Sequence, residues 1–409
     1  MAGASPTRNW RRSSAEMWGL GYNAALVATG AGLLGAAAGI TGTFLVLRKR
    51  ALVSDAIAHA TLPGIALAFL VMVAFGGEGR SLAGLLFGSA LSAWLGLLCV
   101  GWLTHATRLS EDAAIGAVLS VFFGFGILLL TVIQSLNVGR QAGLETFLLG
   151  STAGMLYSDA LTIAVGGGLA TLAALVLRRP MLTAAFDPGY AVATGLDVRR
   201  VDLAMMGLIM AVTVIGIKIV GLVLIVAMVI LPPVTARFWS NRVDRVVLIA
   251  GVMGGLTGLL GALISASAPN LPTGPIIVLT GSAGFFVSLM IAPRRGVLAA
   301  LLARHRYQRR VHLRQGLLAL AHGHPVYERF TLRLLSRAGL ANPDGTATDK
   351  GRAAAARALL DESRWQILRA DPAQEIAASH YDGLRPIETV LTPDQIAQID
   401  TRLAPRPLT

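Results

Sequence analysis

DLAMMGLIMAVTVIGIKIVGLVLIVAMVILPPVTA, residues 202–236, is apolar throughout apart from Asp202 at its start and Lys218 near its middle. A helix crosses a bilayer with about 20 apolar residues, so this run is too long for one upright span. It reads either as two spans meeting in a tight hairpin near Gly216 and Gly221, or as one long tilted helix with a kink. Its flanks favour the first reading. Arg199 and Arg200 precede the run, while Arg237, Arg242 and Arg245 follow it. Lys and Arg gather on the cytoplasmic side of membrane proteins, and both clusters can lie there only if the chain crosses twice.

Working outward, further apolar spans read at 22–47, 51–75, 82–103, 113–136, 157–177, 245–267 and 275–292. Together with 202–217 and 219–236 they give nine spans, or eight if the central run is a single helix. Nine spans put Arg48-Lys49-Arg50, His105 with Arg108, Arg178-Arg179 and Arg294-Arg295 all inside. The N-terminus with Arg8, Arg11 and Arg12 then falls outside, unless a membrane-surface segment keeps residues 1–18 inside. The first span is too long for the apolar core of a cleaved signal peptide.

Composition agrees with that architecture. Of 409 residues, 54% are hydrophobic and only 14% charged, against about 25% charged in a soluble domain. The expected fold is an all-α polytopic protein of the cell membrane with eight or nine transmembrane helices. Its net charge of +13, from 35 Lys and Arg against 22 Asp and Glu, belongs in cytoplasmic loops rather than on a nucleic-acid surface. Cys99 is the single cysteine, which excludes an intrachain disulfide and a thiolate metal cage. Lying in an apolar run, it is expected to be a small buried hydrophobe.

Beyond Ala292 the composition changes. The chain divides into an N-terminal tail (1–20), a membrane domain (21–293), a basic linker (294–314) and a small cytoplasmic domain (315–409). In the last, Leu317–Ala321 and Phe330–Leu335 read as amphipathic helix cores, Asn342-Pro343-Asp344-Gly345 as a turn, and Gly351–Leu368 as a longer helix.

Asp55 and His59, at i and i+4 near the start of the second span, share one helix face. An ionisable group in hydrocarbon costs about 2.5–3.5 kcal/mol, so two on one stripe call for a cavity or a partner. Carboxylate plus imidazole makes half a site for Zn, Mn or Fe, whereas copper(I) would want sulfur. The plainer alternative caps a helix with Asp55 beside Arg48–Arg50 and hydrogen-bonds His59 within the bundle. Asp187-Pro188-Gly189 opens a loop with a short apolar helix at Tyr190–Leu196, either a docking element or an ordinary loop helix. Pro232-Pro233 and Pro272-Thr273-Gly274-Pro275 are helix breakers, of the kind that line substrate paths or simply end helices. There is no phosphate-binding G-x-x-x-x-G-K-[ST] loop and no H-E-x-x-H, so the chain neither splits ATP by the first device nor cleaves peptides by the second. Met205, Met206, Met210 and Met228 read as packing.

The stretch from Phe44 to Arg48 and on through Asp55-Ala56-Ile57-Ala58-His59 to Leu62-Pro63-Gly64 resembles the permease subunits of zinc, manganese and iron ABC importers, the ABC-3 type. So do Phe186-Asp187-Pro188 with Ala191, Gly195 and Leu196, then Val220-Gly221 through Pro232 to Arg237, then Leu271 to Pro275. The resemblance covers residues 20–293. It implies a homodimeric channel working with a separate ABC ATPase subunit and an extracytoplasmic metal-binding protein, and no tightly bound cofactor. Asp55 and His59 would form a transient site for the transported divalent ion. Phe186, Asp187, Pro188, Ala191, Gly195 and Leu196 would dock the ATPase. Gly221, Pro232, Pro233, Pro272 and Gly274 would serve gating. Where many relatives carry an acid before the Leu-Pro-Thr-Gly motif, this chain has Asn270, a neutral and weaker oxygen donor.

His324-Pro325, Ala338-Gly339-Leu340 and Thr348 to Arg357 resemble the winged helix and linker helix of iron-dependent repressors, implying a small α(+β) domain. The metal-sensing positions depart from that pattern. Glu362–Gln366 lacks the histidine and glutamate pairing, Thr389 stands where a histidine is expected, and His380 lies nearby. DNA binding is therefore not expected. Two rival readings remain. One is a membrane-anchored metal-responsive regulator using Arg329, Arg333 and Arg337. The other is a proton-coupled secondary transporter, which needs no ATPase.

Overall fold

The computed structural model describes residues 21–76, 81–135, 155–268, 271–293 and 295–403. It divides into two compact units, Met1–Val297 and Leu298–Thr409. In the first unit the helices are α1 (Tyr22–Leu47), α2 (Leu52–Ala74), α3 (Leu82–Ala106), α4 (Glu111–Ser135), α5 (Tyr157–Val176), α6 (Arg178–Phe186), α7 (Pro188–Ala193), α8 (Val198–Val220), α9 (Leu222–Trp239), α10 (Val243–Ala266) and α11 (Thr273–Ile291). Eight of them are long and apolar enough to cross a membrane, and α9 is a shorter apolar helix. The chain is a multi-pass membrane protein.

The run 202–236 is two helices, and the break falls at Gly221, one of the two glycines expected to mark it, three residues past the span boundary drawn at Lys218. Gly221 has φ +86°, a left-handed conformation in which a side chain would be strained. The chain doubles back there. A Cβ at Gly216 would meet the Ile225 side chain, with Cγ1 at 2.7 Å, whereas nine residues along a straight helix would separate them by about 13 Å.

Helix α1 is the central element, packed on α5, α8, α9 and α10. Its contact with α10 is made backbone to backbone. Gly35 and Gly254 each face the other's carbonyl oxygen with no room for a Cβ, Gly39 faces the Ala250 carbonyl, and Gly258 faces that of Ala31. Small residues every fourth position let membrane helices approach closely, where dispersion and Cα–H···O contacts replace the absent hydrophobic drive. Helices α2, α3 and α4 form a second group, with Gly64 of α2 closed in the same way against the Gly88 carbonyl of α3.

Outward faces remain apolar. On α3, Trp94, Leu95, Leu98 and Trp102 are exposed, as suits a lipid-facing surface. Cys99 lies among them and is itself exposed. The expectation of a buried cysteine is thus corrected: an apolar run in a membrane protein does not imply burial in protein.

The second unit holds α12 (Val297–Ala321), α13 (Arg329–Arg337), α14 (Asp349–Ala370), α15 (Glu375–Ala378) and α16 (Pro393–Leu403), with two short 3-10 turns at Pro372–Gln374 and Ile387–Thr389. The stretch 294–314 is thus helical from Val297 onward. Leu320, Val326, Leu335, Leu340, Ala341 and Ala355 make one small core. Trp365, Leu368, Ile387, Leu391 and Ile399 make another. The α(+β) winged helix expected from the sequence is not supported, since the described residues contain no strand. Residues 340–348 close only a single antiparallel bridge, Ala341 to Ala347. The Asn342-to-Gly345 turn starts one residue past that bridge. Thr348 already caps α14 by accepting from the Gly351 N–H at 3.0 Å, leaving no length for a ladder.

Candidate functional site

Asp55 and His59 project from the first two turns of α2. The His59 Nε2 stands 3.4 Å from Asp55 Oδ1, with the imidazole 19% and the carboxylate 38% exposed. That gap is long for a strong N–H···O bond. It suits two neighbouring ligands at about 2.0–2.1 Å from a tetrahedral ion, which stand about 3.3 Å apart. The ring is steered by Phe123 of α4, edge-on at 5.0 Å between centroids. Its Nδ1 is buried with no hydrogen-bond partner among the described residues, which argues against a histidine tied into the bundle by hydrogen bonds. Pro63, four residues on within α2, has no N–H to offer the His59 carbonyl. An imidazole, a carboxylate and a carbonyl without its helical donor therefore cluster on one segment.

No group of three or more His, Cys, Asp or Glu able to hold a metal ion occurs among the described residues. Asn270 lies outside them. The pair offers one carboxylate and one imidazole within 3.4 Å of each other.

Of the expected gating residues, Gly221 and Gly274 lie near this segment. Leu222, just past the Gly221 break, is buried with Ala58 and Leu62, which flank His59 on α2. Gly274 lies against the same break, where a Cβ would reach the Val220 carbonyl at 3.1 Å and overlap Leu224. Pro272 is the N-cap of α11, and the connection before it is pinned by Ser265, whose hydroxyl donates to the Leu271 carbonyl at 2.9 Å. Pro232 and Pro233 lie inside α9, away from that junction. Pro233 cannot donate to Val229, and the Val229 carbonyl instead faces Gly42 of α1.

At one end of the bundle runs an ion network that reading along the chain did not single out. Arg48, the C-cap of α1, donates Nε to Asp202 Oδ1 at 3.2 Å and Nη2 to Oδ2 at 3.0 Å. Its Nη1 donates to the Ala184 carbonyl of α6. Arg50 pairs with Asp202 at 3.0 Å and Glu111 at 2.8 Å. Between the two arginines Lys49 takes φ +61°, and the Arg50 N–H closes back on the Leu45 carbonyl at 3.1 Å, a left-handed helix stop. The sequence signal was present: an acid at the start of an apolar run, amid arginines.

The docking candidates sit on α6 and α7. Asp187 caps α7, its Oδ1 accepting from the Tyr190 N–H at 2.8 Å, and Pro188 opens the helix. Gly195, at φ +81°, lets the Leu196 N–H return to the Ala191 carbonyl at 2.9 Å. The short helix thus runs Pro188–Ala193, two residues upstream of the expected start, because the Asp-Pro cap starts it and Gly195 stops it. Ala191 is buried, while Phe186, Tyr190 and Val192 are 66%, 60% and 65% exposed, an apolar knob of the kind that marks a binding surface. A separate apolar cleft of about 680 Å³, between Ile40 of α1, Leu175 of α5 and Val247 of α10, includes neither Asp55 nor His59.

Such an architecture defines a polytopic helical protein with an ionisable pair beside a broken helix. Residues 22–292 match the ABC 3 transport family, and the chain belongs to it. It is 40% identical over 308 residues to the manganese transport system membrane protein MntC of Bacillus subtilis, covering 75% of this chain and 68% of that one. It is 36% identical to the zinc transport system membrane protein TroC of Treponema pallidum, covering 70% and 94%. Among solved structures, PsaBC from Streptococcus pneumoniae in complex with Fab aligns with a TM-score of 0.57 at 29% identity, over 66% of this chain and 91% of that one.

Proposed function

We propose that this chain is the membrane-spanning permease subunit of an ABC importer for a divalent transition metal ion, Mn, Zn or Fe. The family supports the transporter class, and the relatives named for manganese and zinc transport support the cargo. The observation that carries the site is the 3.4 Å gap between His59 Nε2 and Asp55 Oδ1, beside the break at Gly221. Two protein ligands completed by water hold an ion weakly enough to release it, as a conduction site must.

A separate ATPase subunit would dock on the exposed Phe186, Tyr190 and Val192, with Asp187, Pro188, Ala191, Gly195 and Leu196 fixing the shape of that knob. An extracytoplasmic metal-binding protein would deliver the ion, and two copies of the permease would enclose the path. Movement of the docking helices would be felt through the Ala184 carbonyl by Arg48, and from there by the start of α2. The Gly221 break and Gly274 would let α8, α9 and α11 re-pack around that change, a bistable arrangement of the kind alternating access requires. The second unit would then be cytoplasmic.

The test is metal uptake into proteoliposomes containing the permease and its ATPase, at equal protein content. Asp55→Asn and His59→Ala should each cut uptake, and the double variant should be little worse than either single one, since the second change falls on a broken site. Undiminished uptake in either single variant removes that residue from the path. Failure of any ATPase subunit to co-purify would favour a proton-coupled carrier instead.

A further inference from the structure

Helix α12 changes character along its length. From Leu313 onward it is packed, with Leu313, Leu317 and Leu320 in a core shared with Leu335 of α13, and Arg314 paired with Asp361 at 2.8 Å. Upstream of Val311 it has almost no neighbours. Every residue from 300 to 310 is exposed. Its ring contacts come at its end, His305 at 6.3 Å and His312 at 5.0 Å from Phe330 between centroids.

That unpartnered stretch is not an ordinary solvated helix. Val297, Leu298, Leu301 and Leu302 are among its exposed residues. At about 100° per residue these four fall on one side of the helix, with Arg304 and Arg306 at its two edges and Arg309 continuing it. No Asp or Glu occurs between 245 and 327, while arginines stand at 294, 295, 304, 306, 309 and 310. Among the described residues none of Arg304, Arg306, Arg309 and Arg310 has an ion pair. In water, such a helix would leave leucines wet and cations mutually repelling.

We propose that residues 297–310 form a binding surface for anionic phospholipid headgroups on the face of the membrane from which α11 emerges. Three observations select that occupant over a protein. The helix starts six residues beyond Ile291, the end of α11, so the chain can place its first turns at the headgroups. Its leucines share one face with arginines at the edges, so a helix lying in the interface would turn that face to acyl chains and its guanidiniums to phosphates. The long arginine side chains can lay their stems along the leucines and carry the guanidinium to a phosphate.

The proposal is independent of the transport reading and is tested on the full-length protein in lipid nanodiscs. Discs of phosphatidylcholine alone are compared with discs containing increasing phosphatidylglycerol. Hydrogen exchange over 297–310 is followed, together with an environment-sensitive fluorophore on Leu302→Cys in a Cys99→Ser background. Phosphatidylglycerol should slow exchange and blue-shift the probe, and added salt should reverse both. Arg304→Gln, Arg306→Gln and Arg309→Gln should each raise the half-maximal anionic content several-fold, about fivefold per charge in effective affinity. Unchanged exchange over α13 and α14 verifies that the variants are folded, and the wild-type lipid titration decides the matter if they are not. Equal exchange in both lipids overturns the proposal. So does protection in neutral discs produced by inorganic phosphate, by an ATPase subunit or by a second copy of the chain.

Discussion

Replacing Asp202 with Asn keeps the size of the side chain and removes its charge from the centre of the Arg48–Asp202–Arg50–Glu111 network. The native carboxylate accepts from Arg48 twice, at 3.2 and 3.0 Å, and from Arg50 once, at 3.0 Å. Those side chains are only 14% and 23% exposed, and Asp202 itself 16%. Taking one partner from a buried pair costs about 3–5 kcal/mol, whereas an exposed pair is worth about 0–1 kcal/mol. This site lies between those limits. Arg50 retains Glu111 and Arg48 retains the Ala184 carbonyl, so the expected loss is about 2–3 kcal/mol. At about 2–4 °C per kcal/mol for a domain of this order of size, the apparent melting midpoint in detergent should fall by roughly 4–12 °C. Arg48→Gln should lower it similarly, and the double variant should show a coupling above about 1 kcal/mol. A fall of only a degree in Asp202→Asn, or strict additivity, would mean that the network is a surface decoration and that Arg48 does not tie α6 to α1.

Two further outcomes are expected. Phe186→Ala removes an exposed aromatic ring from the α6–α7 knob and should weaken co-purification of the ATPase at least tenfold while leaving the melting midpoint within about a degree, since an exposed side chain contributes little to folding; normal stimulated ATPase activity and uptake would refute the docking assignment. In the second unit, hydrogen bonds from Arg364 hold the Asp400 carboxyl below its usual range, so the stability it contributes is full above the unfolded value near pH 4 and is lost as pH falls through the lower folded one; amide protection of α16 in the full-length protein should stay flat from neutral pH to about 4.5 and then drop, and Asp400→Asn should blunt that drop.

What was legible in the sequence was local. Spans such as 22–47 and the doubling of 202–236 follow from hydropathy and from arginines on either flank. A turn near Gly216 and Gly221 was legible as well, and only its exact place was not: span bounds of 217 and 219 put it at Lys218, because a charge in an apolar run draws the eye, while the positive φ of Gly221 sets the break. The i, i+4 placement of Asp55 and His59 was visible too. The Phe123 ring that steers His59 was not, nor the Leu222 contact beside it, since both come from other helices. The partnership of Arg48 with Asp202, 154 positions apart, is invisible to any reading by spacing. The tail shows the opposite failure: a familiar pattern of residues suggested strands, but the turn and the α14 cap leave too little chain to build them.

The glycine-lined seam between α1 and α10 has a mechanical consequence. Its carbonyls fit only opposite positions that lack side chains, and those positions recur every fourth residue. A small axial slide of one helix past the other would drive a carbonyl into a Cβ, and the next permitted register is a full step of about 6 Å away. The seam thus behaves as a keyed shaft, which resists gradual shear and transmits torque. If the bundle rearranges, the proposed gating at Gly221 would have to work around this seam, with α1 and α10 moving as one body.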